Sequence, residues 1–255
     1  MLPITVGAIL SDAWDVYRLL FRRSFPIAFC VYAAINAVDF INDAFDNRGT
    51  RISVDLLSFV LSLAGPILVQ GALVQIVRDV HEGVRPESAI GLVRRAFDRL
   101  GSLVGASFIY GLGVVIGLAL LIVPGLLVAA RWSLMAPAIM LEGRWAMPAQ
   151  ERSRAIVRGE IENGLGDRTG LALGVVVTSF LLTTGIPDAL ALFAYHYVWN
   201  WATWALAVLI SAMLAPYQAH VLSVLYYRLV EPERPAVDPK VWTWPSVWRG
   251  VPESA

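Results

Sequence analysis

Residues 103–141 read LVGASFIYGLGVVIGLALLIVPGLLVAARWSLMAPAIML, an apolar run interrupted by one charge, Arg131, and one Pro-Gly pair, Pro124-Gly125. As a single helix this run would be roughly 58 Å long at 1.5 Å per residue, about twice the 30 Å hydrocarbon core of a bilayer. It is therefore read as two crossings folded back at Pro124-Gly125, since proline lacks the N–H a continuing helix needs and glycine tolerates the turn.

Working outward, four further stretches are apolar enough to cross a membrane. With the two halves of the central run, the predicted spans are 25–41, 56–77, 103–122, 126–141, 171–193 and 201–226. Between and before them lie amphipathic segments. In the first, Val6, Ile9, Leu10, Ala13, Trp14, Tyr17, Leu20 and Phe21 recur at helical spacing, with Ser11, Asp15, Arg18 and Arg22 opposite and Thr5 placed to cap its start. In the second, running from Pro86, Ile90, Val93, Phe97 and Leu100 form the stripe; in the third, after Pro148, it is Ala149, Ser153, Ile156 and Val157. The expected fold is all-α: a polytopic helical membrane protein with six transmembrane helices as three hairpins, each preceded by a cytoplasmic amphipathic surface helix. Residues 1–230 form one membrane domain, and residues 231–255 a cytoplasmic tail whose prolines and tryptophans keep it extended.

Charge placement orients the chain. It has 255 residues, 57% hydrophobic and 16% charged, with formal net charge +0, so lipid rather than water is its solvent and no nucleic-acid partner is expected. Arg18, Arg22, Arg23, Arg78, Arg85, Arg94, Arg95, Arg99, Arg144, Arg152, Arg154, Arg158, Arg168, Arg228, Arg234, Lys240 and Arg249 fall on one inferred side; Arg48 and Arg51 alone fall on the other. The positive-inside rule makes the arginine-rich side cytoplasmic, with both termini inside. The excess of arginine over lysine, with abundant Ala, Val and Leu, suits a bacterial cytoplasmic (inner) membrane protein. Aromatic clusters mark the two interfaces: Tyr195, Tyr197, Trp199, Trp201 and Trp204 outside; Tyr226, Tyr227, Trp242, Trp244 and Trp248 inside. The pair Arg22-Arg23 before an apolar run resembles an export signal, but the amphipathic residues ahead of it favour a retained first span.

Few residues carry chemistry. Arg131 sits in the outer half of the fourth span, where insertion costs on the order of 2.5–3.5 kcal/mol unless it is paired or snorkels. Asp39 and Asp188 are its candidate partners in an intramembrane ion pair; the alternative is an anion site. Glu142, which ends that span, is expected to anchor the third surface helix through Arg152 or Arg158. The cytoplasmic arginines Arg18, Arg22, Arg94, Arg95, Arg99, Arg152, Arg154 and Arg158 are candidate contacts for anionic membrane lipids. His81, His196 and His220 show no metal-ligand spacing, Cys30 has no thiol partner, and no nucleotide, hydrolase or metalloprotease motif occurs, so no metal and no cofactor is expected. Gly101, Gly105, Gly113 and Gly117, with Gly170 and Gly174, are spaced for close helix contacts, and Pro66, Pro137, Pro187 and Pro216 for kinks.

Residues 124–159, containing PGLLVAARWSLMAPAIMLEG and then AQERSRAIVRG, resemble the membrane domain attached to some bacterial glycerophosphoryl diester phosphodiesterases and also found alone. The resemblance is carried by Pro124, Gly125, Arg131, Trp132, Pro137, Glu142, Gly143, Ala149, Arg152, Ser153 and Gly159, and more loosely by the opening TVGAILSDAWDVYR. It implies a stand-alone multi-span domain without the catalytic barrel. The function expected is a non-catalytic scaffold or lipid-interacting module, partnered by anionic lipids and by a membrane protein or a second copy; the alternative is a small transporter or channel with its site around Arg131.

Overall fold

The computed structural model describes residues 4–42, 48–84, 87–160, 166–185 and 200–231. They form α1 (Val6–Asn42), α2 (Arg48–His81), α3 (Ala89–Asp98), α4 (Leu100–Leu120), α5 (Ile122–Trp132), α6 (Met135–Glu142), α7 (Ala146–Arg158), α8 (Thr169–Phe180), a π-helical turn (Leu181–Gly185) and α9 (Asn200–Val230). Thr5 caps α1, its hydroxyl accepting from the Ala8 N–H at 3.2 Å.

Each of the long helices is divided into two zones. In α2, Leu73, Val74, Ile76, Val77 and Val80 are fully buried, whereas Ile52, Leu56, Phe59 and Leu63 are exposed. In α9, Val221, Val224, Leu225 and Leu229 are buried and Leu206, Leu209 and Met213 exposed; in α4 the buried Leu103 and Ala106 give way to exposed Phe108, Leu112, Val115 and Leu120. The packed zone is the arginine-rich end, where the first half of α1 lies along the last half of α9. Each large apolar side chain sealed there is worth roughly 1.5–3 kcal/mol against water. The other zone gains nothing from burial, because acyl chains solvate leucine and phenylalanine as well as protein does. The chain is a helical, membrane-associated protein whose exposed apolar zone contacts lipid.

Six spans are not what the described residues contain. Four helices are long and apolar enough to cross a membrane: Ile52–His81, Leu100–Leu120, Ile122–Glu142 and Val208–Val230. The expected first span, 25–41, is the second half of α1, whose side chains are described only to residue 38. The expected fifth is described only as the shorter apolar helix Thr169–Gly185. Nor is each hairpin led by a surface helix. The opening segment of α1 belongs to the core: Ile9, Ala13, Val16, Tyr17 and Leu20 are buried. Most of its stripe packs against protein because α9 covers it, while Trp14 stays half exposed.

The central run turns earlier than its Pro-Gly pair suggests. Leu121 is extended (φ −164°, ψ 152°), and α5 restarts at Ile122 with Pro124 in its first turn. There the missing N–H costs nothing, since first-turn N–H groups lack partners anyway. Gly125 instead lies against Gly117 of α4, where a Cβ on Gly117 would come within 2.7 Å of the Gly125 Cα. The same logic puts Pro137 in the first turn of α6, while α1, α2 and α9 run through Pro26, Pro66 and Pro216. Ser88 caps α3, accepting from the Gly91 N–H at 3.2 Å. Pro86, Pro187, the outer aromatic side chains and the tail from residue 232 lie outside the described residues.

Candidate functional site

Two features stand out: a polar network at the arginine-rich end and a chamber within the bundle. The network begins where α6 stops. Gly143 ends that helix at φ +69°, a left-handed conformation that L side chains rarely adopt, and the chain turns directly into α7. Glu142, the last residue of α6, accepts from Arg152 Nε on α7 at 2.8 Å and from the Tyr226 hydroxyl on α9 at 2.7 Å. Arg144 Nε also donates to it. One carboxylate thus ties three elements. Arg158 does not take part; it pairs with Glu160 at 2.8 Å.

Two further acids work the same way. Asp12 of α1 accepts from Arg228 Nε of α9 at 2.9 Å, and a second donation comes from the same guanidinium. Asp79, with a nearly sealed side chain, accepts from the Glu87 N–H and faces Arg78 and Arg95 at 3.4 and 3.9 Å, so it sets the α2–α3 turn. Arg95 itself bridges Glu87 at 2.8 Å, and Arg99 donates to the Gly143 carbonyl at 3.0 Å. Tyr226 and Tyr227, expected at the headgroup level, are buried; the Tyr227 ring stacks on His81 with centroids 3.9 Å apart.

Sequence reasoning passed over Asp12, Asp79 and Arg228 as binding partners. The available signal was weak: Asp79 stands in the last turn of a long apolar helix beside Arg78, a costly place for an acid without a partner. Ser24 and His220 share a hydrogen bond at 3.1 Å in the α1–α9 seam, both fully buried. This serine–histidine contact is sealed by packing and fastens α1 to α9; neither residue lines the chamber described below.

Arg131 lies at the end of α5, with Nε 3.4 Å from the Thr169 hydroxyl at the start of α8. Thr169 in turn donates its N–H to Asp167 at 2.8 Å. Donation from the Thr169 hydroxyl and N–H, helped by the nearby charges of Arg131 and Arg158, holds the Asp167 carboxyl below the usual carboxylate range. The side chains of Asp39 and Asp188 lie outside the described residues. Thr169 follows the segment 144–168, so this contact sets Arg131 beside the arginine-rich loops and away from the α4–α5 tip.

Ser153 closes the break between α5 and α6. Fully buried on α7, it donates to the Arg131 carbonyl at 2.8 Å and accepts from the Leu134 N–H at 3.0 Å. The change Ser153→Ala strands both backbone groups and is expected to cost about 1–3 kcal/mol. Thermal unfolding of the purified protein checks this, and an unmoved midpoint would mean the break needs no seal.

The chamber, about 490 Å³, lies between α1, α2, α4, the α5–α6 break, α8 with its π turn, and α9. Tyr32, Gln70, Tyr110, Thr184 and Gln218 face it among apolar walls, and among the described residues no Asp, Glu, Lys, Arg or His lines it. Trp132 and Ser133 are on its wall; Arg131 is not. Among the described residues no cluster of His, Cys, Asp and Glu could hold a metal ion. Comparison with family models, with curated proteins and with solved structures finds no match.

Proposed function

We propose that this chain is a non-catalytic, lipid-interacting module of a bacterial inner membrane, with its arginine-rich end in the cytoplasm. One observation carries the reading. Of the eight arginines considered as lipid contacts, Arg95, Arg99, Arg152 and Arg158 are held by protein partners, while Arg18, Arg94 and Arg154 are exposed and make no hydrogen bond or ion pair among the described residues. Each of these three shares a helix face with an exposed bulky apolar side chain: Trp14 with Arg18, Ile90 and Phe97 with Arg94, Met147 with Arg154. That pairing is what an interfacial helix needs, an apolar group for the acyl boundary and a guanidinium for the phosphate level. Each arginine near an anionic leaflet contributes about 1 kcal/mol.

The motif shared with the phosphodiesterase-associated membrane domain supports the same reading, as a proposal resting on residues 124–159. Transport centred on Arg131 draws no support from the chamber, which that residue does not reach.

Native mass spectrometry with retained lipid tests the proposal. Replacing Arg18, Arg94 and Arg154 together by Gln is expected to weaken anionic phospholipid retention by about a hundredfold, the equivalent of three such contacts. Retention equal to that of the parent protein would overturn the lipid role. A reporter fused after Val84 should stay cytoplasmic; a periplasmic signal there reverses the orientation.

A further inference from the structure

We infer that the chamber is a binding site for an uncharged, hydroxyl-rich group, either a free polyol or sugar or the head of a neutral glycolipid. This goes beyond the lipid belt and does not depend on it, since the belt is cationic and the described lining of the chamber carries no charge.

Size comes first. At about 490 Å³ the space falls within the range of roughly 300–1,000 Å³ typical of small-molecule sites. Charge then narrows the ligand. An ion brought here would lose hydration with no counter-charge among the described lining residues to offset it, which disfavours anionic headgroups and cations alike.

Unspent hydrogen-bonding capacity selects among neutral molecules. The phenol hydroxyls of Tyr32 and Tyr110, the Gln70 carboxamide and the Thr184 hydroxyl line the chamber and bond to no described protein group. A carboxamide offers two donors and one acceptor oxygen, and a hydroxyl offers both roles. These groups face the open space of the chamber, where a ligand bearing several hydroxyls can pair with all of them at once.

The remaining walls suit the carbon faces of such a ligand. Tyr32, Tyr110 and Trp132 bring rings to the same space. Trp132 lies so closely over α4 that a Cβ on Gly113 would stand 2.1 Å from its ring, so the glycine is what lets the indole lie there. On the opposite side the π turn sets Thr183, whose hydroxyl donates to the Ser179 carbonyl at 2.8 Å and lies 3.2 Å from Gln218 Oε1. Such π turns recur at functional sites.

The test uses the full chain, purified in a detergent without a sugar head. Free glucose and myo-inositol are titrated calorimetrically, and monoglucosyl diacylglycerol is presented in zwitterionic nanodiscs and followed by native mass spectrometry. Binding of a free probe assigns the site to a solute; binding of the glycolipid alone assigns it to a headgroup. In either case Gln70→Leu is expected to weaken binding about tenfold, the loss of one ligand hydrogen bond, with the unfolding midpoint and anionic-lipid retention unchanged. Tyr110→Phe, a milder change that keeps the ring, should weaken it in the same direction. No binding of any of the three probes overturns the inference, as does binding that both variants leave intact.

Discussion

The variant Glu142→Ala is expected to unfold well before the parent protein, by about 3 kcal/mol. Three groups lose their acceptor together. The Tyr226 hydroxyl, on a residue only 5% exposed, is left buried and unpaired at about 1–3 kcal/mol. Arg152, half-buried on α7, loses a carboxylate that receives its Nε at 2.8 and 3.0 Å. A sealed pair broken this way costs about 3–5 kcal/mol, and partial solvent access to Arg152 brings the figure down. Arg144 adds little, because it stands largely in solvent and exposed pairs contribute about 0–1 kcal/mol. The order of damage should therefore be Glu142→Ala, then Tyr226→Phe at about 1 kcal/mol, then Arg144→Gln near zero. Thermal unfolding in detergent, or urea titration with α7 accessibility to protease, reads this order. A Glu142→Ala protein as stable as Arg144→Gln would show that α6, α7 and α9 are joined by packing alone.

That hub was half legible in the sequence. An acid closing an apolar helix before a basic amphipathic segment pointed to an ion pair with α7, and Arg152 stood among the candidates. Tyr226 did not, because 84 residues separate it from Glu142 and its apolar surroundings looked like an interfacial ring. The helices α3 and α7 were legible through their stripes, since period and charge are local properties. What local pattern cannot carry is the solvent on the far side of a side chain. Leu73 and Leu56 sit on one helix in equally apolar surroundings, yet one is fully buried and the other 63% exposed. Lipid and protein interior select the same residues, so the two zones of α2, α4 and α9 were invisible. The opening stripe of α1 failed for the same reason: an apolar face at helical spacing fits a headgroup layer or a neighbouring helix equally well. The chamber was out of reach altogether, because Tyr32, Gln70, Tyr110 and Thr184 come from four different helices and none is unusual alone.

The glycines separate pattern from geometry most sharply, and they set the second large expected effect. Gly101, Gly117 and Gly170 all belong to spacings that favour close helix contact, but only Gly117 meets another backbone. A Cβ there would stand 2.7 Å from the Gly125 Cα and 2.8 Å from its nitrogen, atoms that no rotamer change can move aside. Nothing lies within 4 Å of a Cβ added at Gly101 or Gly170. Gly117→Val should therefore force α4 and α5 apart at the tip of their hairpin, at a cost of about 3 kcal/mol or more, the upper range for overpacking. Gly101→Ala and Gly170→Ala should instead be neutral or stabilise by up to about 1 kcal/mol, since alanine is the better helix former. Opening at the tip would propagate toward Trp132, which packs over Gly113 four residues away on the same face of α4, so the chamber wall should loosen as well. Size-exclusion behaviour and unfolding midpoints of the three variants in one detergent decide the matter. If Gly117→Val matches the two alanine variants, the α4–α5 contact is looser than its backbone separation indicates, and the hairpin is held by its surroundings rather than by its own seam.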